Sequence, residues 1–467
     1  MRIKYLLITM ASLAAILGGG TSAHASANDE INTYVNEAVE RSRLPGVEIA
    51  VIEDSVLQPS RSYGNLKAGS IMPIGSISKP LTSYAIMKLI EGNRLNLDDK
   101  LSGHISEFNF TYEGSKSDVT IRQLLNHTSG LSTAEGRRLI GINDNSVYRH
   151  AMRLSNAQLI HQPGATFEYS NANYAILGAL IEEVSNQSYA EFMRQNVFTP
   201  LGMYNTSADM SVTQSTNFAS GYQSWFGFNV PSAIKYNPGG APYGYVASTA
   251  HDLGMFLIAQ LDASDKLISE TQESSIVIDR ASKTYYGLGW VMREQKGRNT
   301  ILHAGDNADY SAFMQLDMHK GNGVVVMINR NHYLEPTYSI DTGLGILNII
   351  NNGKSGGIGG SGGTLRLIGA FVVLLFIVLL ILYAVKPTYK GKKRKALIIL
   401  AVTFFSIALL LPVTLLKLFD ATLMVAYMNA PDATVTVLFL ELLLVVFVSL
   451  VSFFEYRFKM IKSKKVR

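Results

Sequence analysis

The sequence predicts an α+β domain followed by three transmembrane helices, and three observations support this. Of its 467 residues, 47% are hydrophobic, which is enough for one large domain and a more apolar region. Helix and strand patterns occur at residues 31–64 and again at 286–350, with mainly helical patterns between them. This arrangement indicates a sheet in which both ends of the domain meet. Three apolar runs of about twenty residues follow, each long enough to cross a bilayer.

Charge, cysteine and histidine content exclude several classes of function. The net charge of +5 is modest, and many basic residues lie in two short C-terminal clusters, which indicates membrane orientation and not nucleic-acid binding. The chain has no cysteine, so disulfides and thiolate chemistry are excluded. The nine histidines are scattered, and no His-Glu-x-x-His motif, phosphate loop or dinucleotide fingerprint occurs. We therefore expect no cofactor, no metal and no nucleic-acid partner.

The first 25 residues are typical of a secretory signal peptide. Arg2 and Lys4 give a basic start, an apolar centre runs from Leu6 to Leu17, and small residues follow. Because this apolar run is short for a membrane span, we expect cleavage after Ala25, with an uncleaved anchor as the alternative.

Residues 26–352 are predicted to form the globular domain. It opens with an amphipathic helix around Ile31–Val39, a buried strand at Val47–Ile52 and a short strand at Ser62–Tyr63. Helices broken by Gly, Asn and Pro loops fill the middle. The last part is predicted to contain an antiparallel series of strands and a closing helix, at Tyr286–Met292, Thr300–His303, Ser311–Leu316, Gly323–Ile328 and Thr337–Ile350.

A glycine-rich linker, residues 353–364, separates this domain from a membrane domain, residues 365–467. Basic clusters lie between the first two apolar runs and after the third. Because basic segments stay cytoplasmic, the globular domain is predicted to be extracellular or periplasmic and the C-terminus cytoplasmic. The three predicted spans are Leu367–Val385, Ala396–Leu416 and Ala433–Phe454.

The stretch Gly75-Ser76-Ile77-Ser78-Lys79-Pro80 is the first motif with chemical meaning. A helical apolar pattern follows it, and Pro80 fits only the first helical turn, where backbone amides have no partner. Ser76 is thus placed at a helix N-terminus, with Lys79 one turn later on the same face and close enough to take the serine proton. The alternative is a surface turn in which Ser-x-x-Lys arose by chance.

Serine attack on an amide also needs a proton shuttle and groups that hold the substrate. Tyr169 can share a proton with a lysine, and Asn171 supplies an amide side chain two residues later. His303-Ala304-Gly305 ends a predicted strand, and its glycine permits close approach of a substrate. The alternatives are a core tyrosine and a solvated histidine. His127 is expected to be a buried histidine bonded to a loop carbonyl, with a catalytic role as the alternative.

Three motifs occur in the order found in the serine β-lactamase and penicillin-binding-protein superfamily, which the chain resembles in its class C-like and D,D-peptidase branch. They are Ser-x-x-Lys, Tyr-x-Asn and Lys-or-His-x-Gly, here Ser76–Lys79, Tyr169–Asn171 and His303–Gly305. The resemblance covers residues 28–350, with supporting matches at 124–131, 248–253 and 286–290. It implies a β-lactamase/transpeptidase-like fold, in which a five-stranded antiparallel sheet with flanking helices and a helical subdomain hold the site between them.

The resemblance also implies a role for each matching position. Ser76 is the acylated nucleophile, Lys79 its proton partner, and Tyr169 the general base or proton shuttle. The backbone amides of Ser76 and Asp306 form the oxyanion hole. The residues that bind the substrate are Asn171, His303, Gly305, Asp306 and Asn307.

Two departures from the family pattern bear on the substrate. The middle motif is Tyr-Ser-Asn and not Ser-Asp-Asn, and no residue matches the deacylating glutamate of class A, so a class A site is excluded. His303 stands where typical β-lactamases have lysine. Since a largely neutral histidine is a weaker clamp for a substrate carboxylate, efficient turnover of penicillins is not expected.

The resemblance implies a membrane-anchored extracellular serine hydrolase that acts through acyl-Ser76 on peptide or amide bonds. D-amino-acid-containing peptides are the expected substrates, as for a D,D-carboxypeptidase, and the substrate and the lipid bilayer are the expected partners. The enzyme alternatives are a β-lactamase, an esterase and a prodrug-activating D-residue peptidase of a nonribosomal peptide pathway. A non-enzyme alternative is a penicillin or cell-wall sensor that acylates without turnover, although Lys79 and Tyr169 favour turnover.

Overall fold

The computed structural model describes residues 27–262, 266–273, 276–295, 298–354, 357, 363–384, 416 and 422–464. The predicted signal peptide and, apart from Leu416, the second predicted span lie outside these residues. The chain forms two units. The first comprises Met1–Tyr222, Pro231–Asn331 and Pro336–Ser361, and the second comprises Gln223–Val230, His332–Glu335 and Gly362–Arg467.

Sixteen strands occur among the described residues. In chain order they are β1 Gly46–Glu53, β2 Val56–Leu57, β3 Arg61–Gly64, β4 Met72–Pro73, β5 Thr111–Tyr112, β6 Ser115–Lys116, β7 Tyr222–Trp225, β8 Phe228–Pro231, β9 Ala247–Ser248, β10 Ile276–Asp279, β11 Thr284–Tyr286, β12 Val291–Gln295, β13 Arg298–Asp306, β14 Ser311–Asp317, β15 Gly323–Ile328 and β16 Arg330–Asn331.

Helix α1 is described over residues 27–42. Two short irregular turns also matter for the site, a 3₁₀ turn at Gly75–Ile77 and a π-helical turn at Ala241–Tyr245. The other α-helices within the described ranges are α2 Ser78–Glu91, α3 Ile121–Leu125, α4 Thr133–Arg138, α5 Val147–Met152, α6 Asn171–Ser185, α7 Tyr189–Met193, α8 Ala250–Ala259, α9 Lys266–Glu273, α10 Tyr338–Asn352, α11 Gly363–Ala384, α12 Leu423–Asn429 and α13 Pro431–Lys464.

The main sheet confirms the predicted α+β arrangement, because both ends of the domain meet in it. Its strand order is β10-β11-β12-β13-β14-β15-β1-β2, with β3 paired to β1. The pairs are antiparallel, and β1 lies directly beside β15, with Val47 opposite Ile328. Five strands of five or more residues form the centre, as the resemblance implied, and four shorter edge strands bring the described sheet to nine.

The central strands are buried on both faces, which explains their continuous apolar sequences. In β15, Val324 and Val326 face a core formed with α1 and α10, whereas Val325 and Met327 face a larger core formed by the helical part of the domain. Successive side chains point to opposite faces of a strand, so one apolar run serves two cores. The sheet is therefore enclosed between two helical layers.

The predicted strand Tyr286–Met292 is interrupted in the structure. It divides into β11 and β12, which pair with each other as a hairpin. At the break, Gly287 donates its amide to the Trp290 carbonyl at 2.8 Å, and Gly289 has a φ of 89°. Glycine adopts this left-handed conformation without the steric penalty that other residues meet. The alternation of apolar residues did not reveal the turn.

In the second unit, a buried ionic cluster connects four separate stretches of sequence. Asp432, in the first turn of α13, accepts a hydrogen bond from the Phe226 amide at 2.8 Å. The Asp432 carboxylate also lies 2.8 Å from the His332 ring and 3.0 Å from the Arg366 guanidinium. Arg366 in turn lies 2.8 Å from Glu335. These contacts join the β7–β8 hairpin, residues 332–335, α11 and α13 into one unit.

One helix among the described residues is long and apolar enough to cross a membrane. It is the Pro431–Leu450 part of α13, which covers most of the third predicted span. At the first predicted span, α11 runs from Gly363 to Ala384, and an apolar composition is described for its Gly363–Val372 part. Because most of the second predicted span lies outside the described residues, the three-span arrangement is a proposal.

Candidate active site

The turn that carries Ser76 lies directly against the end of β13. Gly75 has a φ of 55°, and a Cβ there would lie 2.4 Å from the amide nitrogen of Asp306. A Cβ on Gly305 would lie 2.0 Å from the carbonyl oxygen of Ile74. Real Cβ atoms do not approach this closely, so both positions need glycine. The two glycines allow the backbone of the serine motif to touch the backbone of the third motif.

The amide of Asp306 points away from the neighbouring strand β14. Asn307 donates its amide to the Tyr310 carbonyl at 2.9 Å, so these two residues form a hydrogen-bonded pair. Such pairs alternate along an antiparallel ladder, which makes the next pair, Asp306 and Ser311, a non-hydrogen-bonded one. On the other side, β12 pairs with β13 only as far as Leu302. The Asp306 amide is therefore directed past the end of β12, toward the turn that carries the serine.

Lys79 is fully buried, and its amine lies at the centre of the site. The amine donates to the Ser76 hydroxyl at 3.0 Å, to the Asn171 side-chain oxygen at 2.8 Å and to the Tyr243 carbonyl at 2.8 Å. Burial lowers the pKa of Lys79 well below its ordinary value of 10.5. Because desolvation disfavours the ammonium, this lysine is suited to accept a proton from the neighbouring serine.

Tyr169 lies just before α6 and contacts the same serine. Thr133 donates to the backbone carbonyl of Tyr169 at 2.7 Å, and the Lys79 amine lies 4.9 Å from the centre of the Tyr169 ring. Burial raises the pKa of Tyr169, while a hydrogen bond with the Ser76 side chain lowers it by a smaller amount. The phenol therefore keeps its proton at rest. Ser76, Tyr169 and Asn171 are all partly accessible, whereas Lys79 is not.

His303 is buried in β13 and not solvated. Its Nδ1 lies 2.7 Å from the Ala304 carbonyl, which only accepts, so Nδ1 carries the proton. Its Nε2 lies 3.5 Å from the Tyr286 hydroxyl. Burial and the nearby Lys79 lower the pKa of His303 to about 3. The ring is therefore neutral at physiological pH, and its remaining nitrogen faces a tyrosine.

Asp306 and Asn307 extend β13 beyond the motif. Asn307 donates its side-chain amide to the Gly244 carbonyl at 3.0 Å, next to the residue whose carbonyl accepts from the lysine. Asn331 donates to the Asn307 carbonyl at 2.7 Å and to the Asp306 carboxylate at 3.3 Å. The Asp306 side chain retains access to solvent, and partial desolvation by the surrounding protein raises its pKa to about 6, against a smaller lowering by the Asn331 hydrogen bond.

His127 supports the tyrosine of the middle motif. It is buried as predicted, but its Nδ1 accepts hydrogen bonds from the Ser170 amide at 3.2 Å and the Asn173 side chain at 2.8 Å, where a bond to a carbonyl was expected. Its ring centre lies 4.5 Å from that of Tyr169 and 4.8 Å from that of Tyr286. The ring thus packs beside the phenol that contacts Ser76.

The structure brings all eight predicted site residues to one place, and it adds others that the sequence reasoning missed. The additions are the Tyr243 carbonyl, Tyr286 and Asn331. Tyr243 lies in a Pro-Tyr-Gly-Tyr stretch and acts through its backbone carbonyl, and a backbone acceptor leaves no signal in residue identity. Asn331 carries no motif. Within the described ranges, no group of three or more acidic or histidine side chains is placed to hold a metal ion.

Comparison with known proteins identifies the family of this chain. A family model described as Beta-lactamase matches residues 31–342. Protein flp of Staphylococcus aureus strain MRSA252 is 30% identical over 320 residues, which are 66% of this chain and 64% of that protein. Penicillin-binding protein 4* of Bacillus subtilis strain 168 is 31% identical over 278 residues, or 53% of this chain and 58% of that protein. The alignment with flp thus leaves about a third of that relative unmatched.

Two solved structures share the fold. An octameric penicillin-binding protein homologue from Pyrococcus abyssi superposes with a TM-score of 0.61 at 24% identity, covering 70% of this chain and 78% of that one. A D-stereospecific amidohydrolase from Streptomyces superposes with a TM-score of 0.59 at 21% identity, covering 71% and 99%. With the family model matched over most of the globular domain and the three motifs gathered around one serine, the chain belongs to the beta-lactamase family of serine hydrolases.

Proposed function

We propose that this chain is a membrane-anchored serine hydrolase of the class C-like branch, which forms an acyl-enzyme at Ser76 and cleaves peptide or amide bonds. The observation that carries the proposal is the buried amine of Lys79, 3.0 Å from the Ser76 hydroxyl. D-amino-acid-containing peptides are the proposed substrates, on the strength of the three motifs shared with D,D-peptidases.

In the acylation step, the Ser76 oxygen bonds to the carbonyl carbon of the substrate while the serine proton passes to the uncharged Lys79 amine. Burial supports this direction, because it lowers the pKa of Lys79. The protonated lysine lies against the ring of Tyr169, whose phenol contacts the serine. Tyr169 then gives its proton to the leaving nitrogen and regains one from Lys79, so the amine product departs neutral.

Two backbone amides stabilise the negative oxygen that forms during this attack. They are the amides of Ser76 and Asp306, which the glycine contacts bring together at the end of β13. The side-chain amide of Asn171, whose oxygen is held by Lys79, binds the substrate peptide with its nitrogen. In the second step a water molecule attacks the acyl carbon, with Tyr169 and Lys79 again accepting and returning the proton.

The membrane anchor is supported by composition. The Pro431–Leu450 helix has a mean hydropathy of 2.5, and only 6% of it is buried within the protein. A bilayer would cover such a surface. We place the globular domain outside the cell and the basic C-terminus inside. If so, protease added to intact cells will cut within residues 353–364 and release the domain, whereas full protection of this linker would contradict the topology.

Labelling with a fluorophosphonate tests the nucleophile. The reagent should modify the full-length protein at Ser76, and Ser76→Ala should remove both labelling and hydrolysis. Ser106→Ala, at an exposed serine, is the control and should label normally. Hydrolysis that persists in Ser76→Ala would exclude the proposed mechanism.

A substrate panel separates the enzyme alternatives. D-Ala-D-Ala peptides, N-acyl-D-Asn peptides, nitrocefin and short esters represent the carboxypeptidase, prodrug peptidase, β-lactamase and esterase hypotheses. Turnover of one class, lost in Ser76→Ala, identifies the activity. Stable acylation of Ser76 by penicillin with no release over hours would instead support a sensor.

A further inference from the structure

The basic groups of the site are already engaged within the protein. The Lys79 nitrogen has three partners at hydrogen-bond distance, at Ser76, Asn171 and Tyr243. These partners occupy its hydrogens, and its lone pair when the amine is uncharged. The lysine is also fully buried. It is therefore placed to exchange a proton with the serine and not to hold the carboxylate of a substrate.

The histidine of the third motif offers no cation either. The Nδ1 proton of His303 is used by the Ala304 carbonyl, and the ring leaves only 4% of its surface exposed. In its neutral form the other nitrogen is an acceptor, which a carboxylate would repel. A substrate with a free carboxylate near the scissile bond thus finds no charged partner among these motif residues.

The accessible charge at this place is negative. The Asp306 carboxylate belongs to the same residue as one amide of the proposed oxyanion hole, so only one short side chain separates the two groups, and the carboxylate also interacts electrostatically with Tyr169. Its partner is the Asn331 side chain at 3.3 Å, a long hydrogen bond to a neutral group. Within the part of the chain that the structure describes, burial and the Asn331 hydrogen bond determine the pKa of Asp306, and no lysine or arginine contributes to it.

We propose that the Asp306 carboxylate receives a positively charged group, such as a free ammonium, carried by the substrate close to the scissile carbonyl. The inference rests on the proposed function and narrows its substrate class. It favours substrates with a free amine over carboxypeptidase substrates and penicillins, both of which carry a carboxylate. A cation seated at Asp306 gains a charge-assisted hydrogen bond, whereas a carboxylate is repelled.

This arrangement makes the charge preference depend on pH. Among the described residues, the Asp306 carboxylate interacts with Asn331, which does not titrate, and with Tyr169, whose pKa Asp306 helps to raise, so that the phenol stays protonated. Protonation of Asp306, with its pKa of about 6, removes the negative charge. The preference should therefore be complete at pH 8 and lost at pH 5.

Three fluorophosphonate probes test the inference without knowledge of the substrate. They share one linker and end in a trimethylammonium group, an uncharged tert-butyl group of the same shape, or a carboxylate. In each, the serine oxygen bonds to phosphorus, fluoride leaves and the serine proton passes to Lys79. The labelling rate of Ser76 in the full-length protein is measured for wild type, Asp306→Asn and Asp54→Asn. Asp306→Asn keeps the backbone amide of the oxyanion hole and removes only the charge.

The control residue, Asp54, lies at the opposite end of the strands from Asp306. The register aligns Asp306 with Ser311, Ile328 and Val47, and Asp54 follows the opposite end of β1, roughly 25 Å away. We expect wild type and Asp54→Asn to label about tenfold faster with the cationic probe than with the neutral one, and slowest with the carboxylate. In Asp306→Asn the three rates should agree within about threefold.

The outcomes distinguish a failure of the Asp306 proposal from a failure of the proposed function. Equal rates for the three probes in wild type, or an undiminished preference in Asp306→Asn, overturn the role of Asp306 while leaving Ser76 as the nucleophile. A cationic preference that does not change between pH 8 and pH 5 also contradicts it. If no probe modifies Ser76, the proposed function fails, and the inference fails with it.

Discussion

The amine of Lys79 lies 3.0 Å from the hydroxyl oxygen of Ser76, and two further acceptors fix it there. One of these is the Asn171 side chain, which is 92 residues away in sequence, and the other is the Tyr243 carbonyl, 164 residues away. The proton acceptor proposed for catalysis is thus positioned by three separate parts of the fold. The parts of the fold that position the Lys79 amine also bury it.

Lys79→Met should lower the rate of Ser76 acylation by about 10²- to 10⁴-fold, because methionine fills the space of the lysine but accepts no proton. Lys79→Arg should not restore activity, since a guanidinium stays protonated. The rate of fluorophosphonate labelling measures both. Lys88→Met, on the same helix but partly exposed beside Glu91, provides the control. If Lys79→Met is labelled at the wild-type rate, Lys79 is not the proton acceptor.

Tyr169→Phe should keep the packing of the ring against His127 while removing the hydroxyl that contacts Ser76. We expect turnover of an amide substrate to fall by about 10²-fold or more, because the leaving nitrogen then lacks its proton donor. Turnover of an activated ester, whose leaving group needs no proton, should fall less. Single-turnover kinetics on an amide and an ester with the same acyl group measure the difference. Tyr204→Phe, at a tyrosine that is 78% exposed, is the control.

Much of the fold could be predicted because it is local in the sequence. The apolar runs of β1 and β15, the helix after Pro80 and the closing helix α10 each show in the residue pattern, and the structure has them close to their predicted bounds. The three catalytic motifs are also short and carry their own spacing. Gly75 and Gly305 lie where the backbones of the first and third motifs touch, which is why glycine is needed at both positions.

The environment of each side chain could not be predicted in the same way. A histidine in the third motif suggested a weak clamp for a carboxylate, but the bond of His303 to its own strand depends on the rotamer that the folded core imposes. The acceptor at Tyr243 is a backbone carbonyl, and the Asp432–Arg366 contact joins residues 66 positions apart. Such contacts depend on tertiary packing, which leaves no periodic trace in the sequence.

Gly305→Ala tests the contact between the serine turn and the sheet. The added Cβ would lie 2.0 Å from the Ile74 carbonyl, so the turn that carries Ser76 must move away from β13. A displacement of this size separates the two oxyanion amides, and we expect acylation to slow by about 10²-fold or more in a protein that still folds. Gly103→Ala, where a Cβ meets nothing within 4 Å, is the control. An unchanged labelling rate would show that this contact does not position the serine.

Glu48 offers a test of how a buried charge affects stability. Its side chain in β1 is fully buried, and burial raises its pKa to about 7, although the amides of Gly69 and Ala250 act in the opposite direction. The unfolded chain releases this proton near the ordinary glutamate pKa of 4.5, so the ionised form weakens folding increasingly as pH rises from about 4.5 to about 7. Glu48→Gln cannot ionise and should escape this loss.

Relative to its stability difference from wild type at pH 4.5, the Glu48→Gln variant should therefore gain about 1 to 3 kcal/mol at pH 8. This change with pH is independent of any constant cost of replacing a carboxyl by an amide. Chemical denaturation of the full chain in detergent at the two pH values measures it, with Glu37→Gln, at an exposed carboxylate, as the control. A stability difference that stays constant between pH 4.5 and pH 8 would mean that Glu48 has the same pKa in the folded and unfolded chain, so that the surrounding amides compensate fully for its burial.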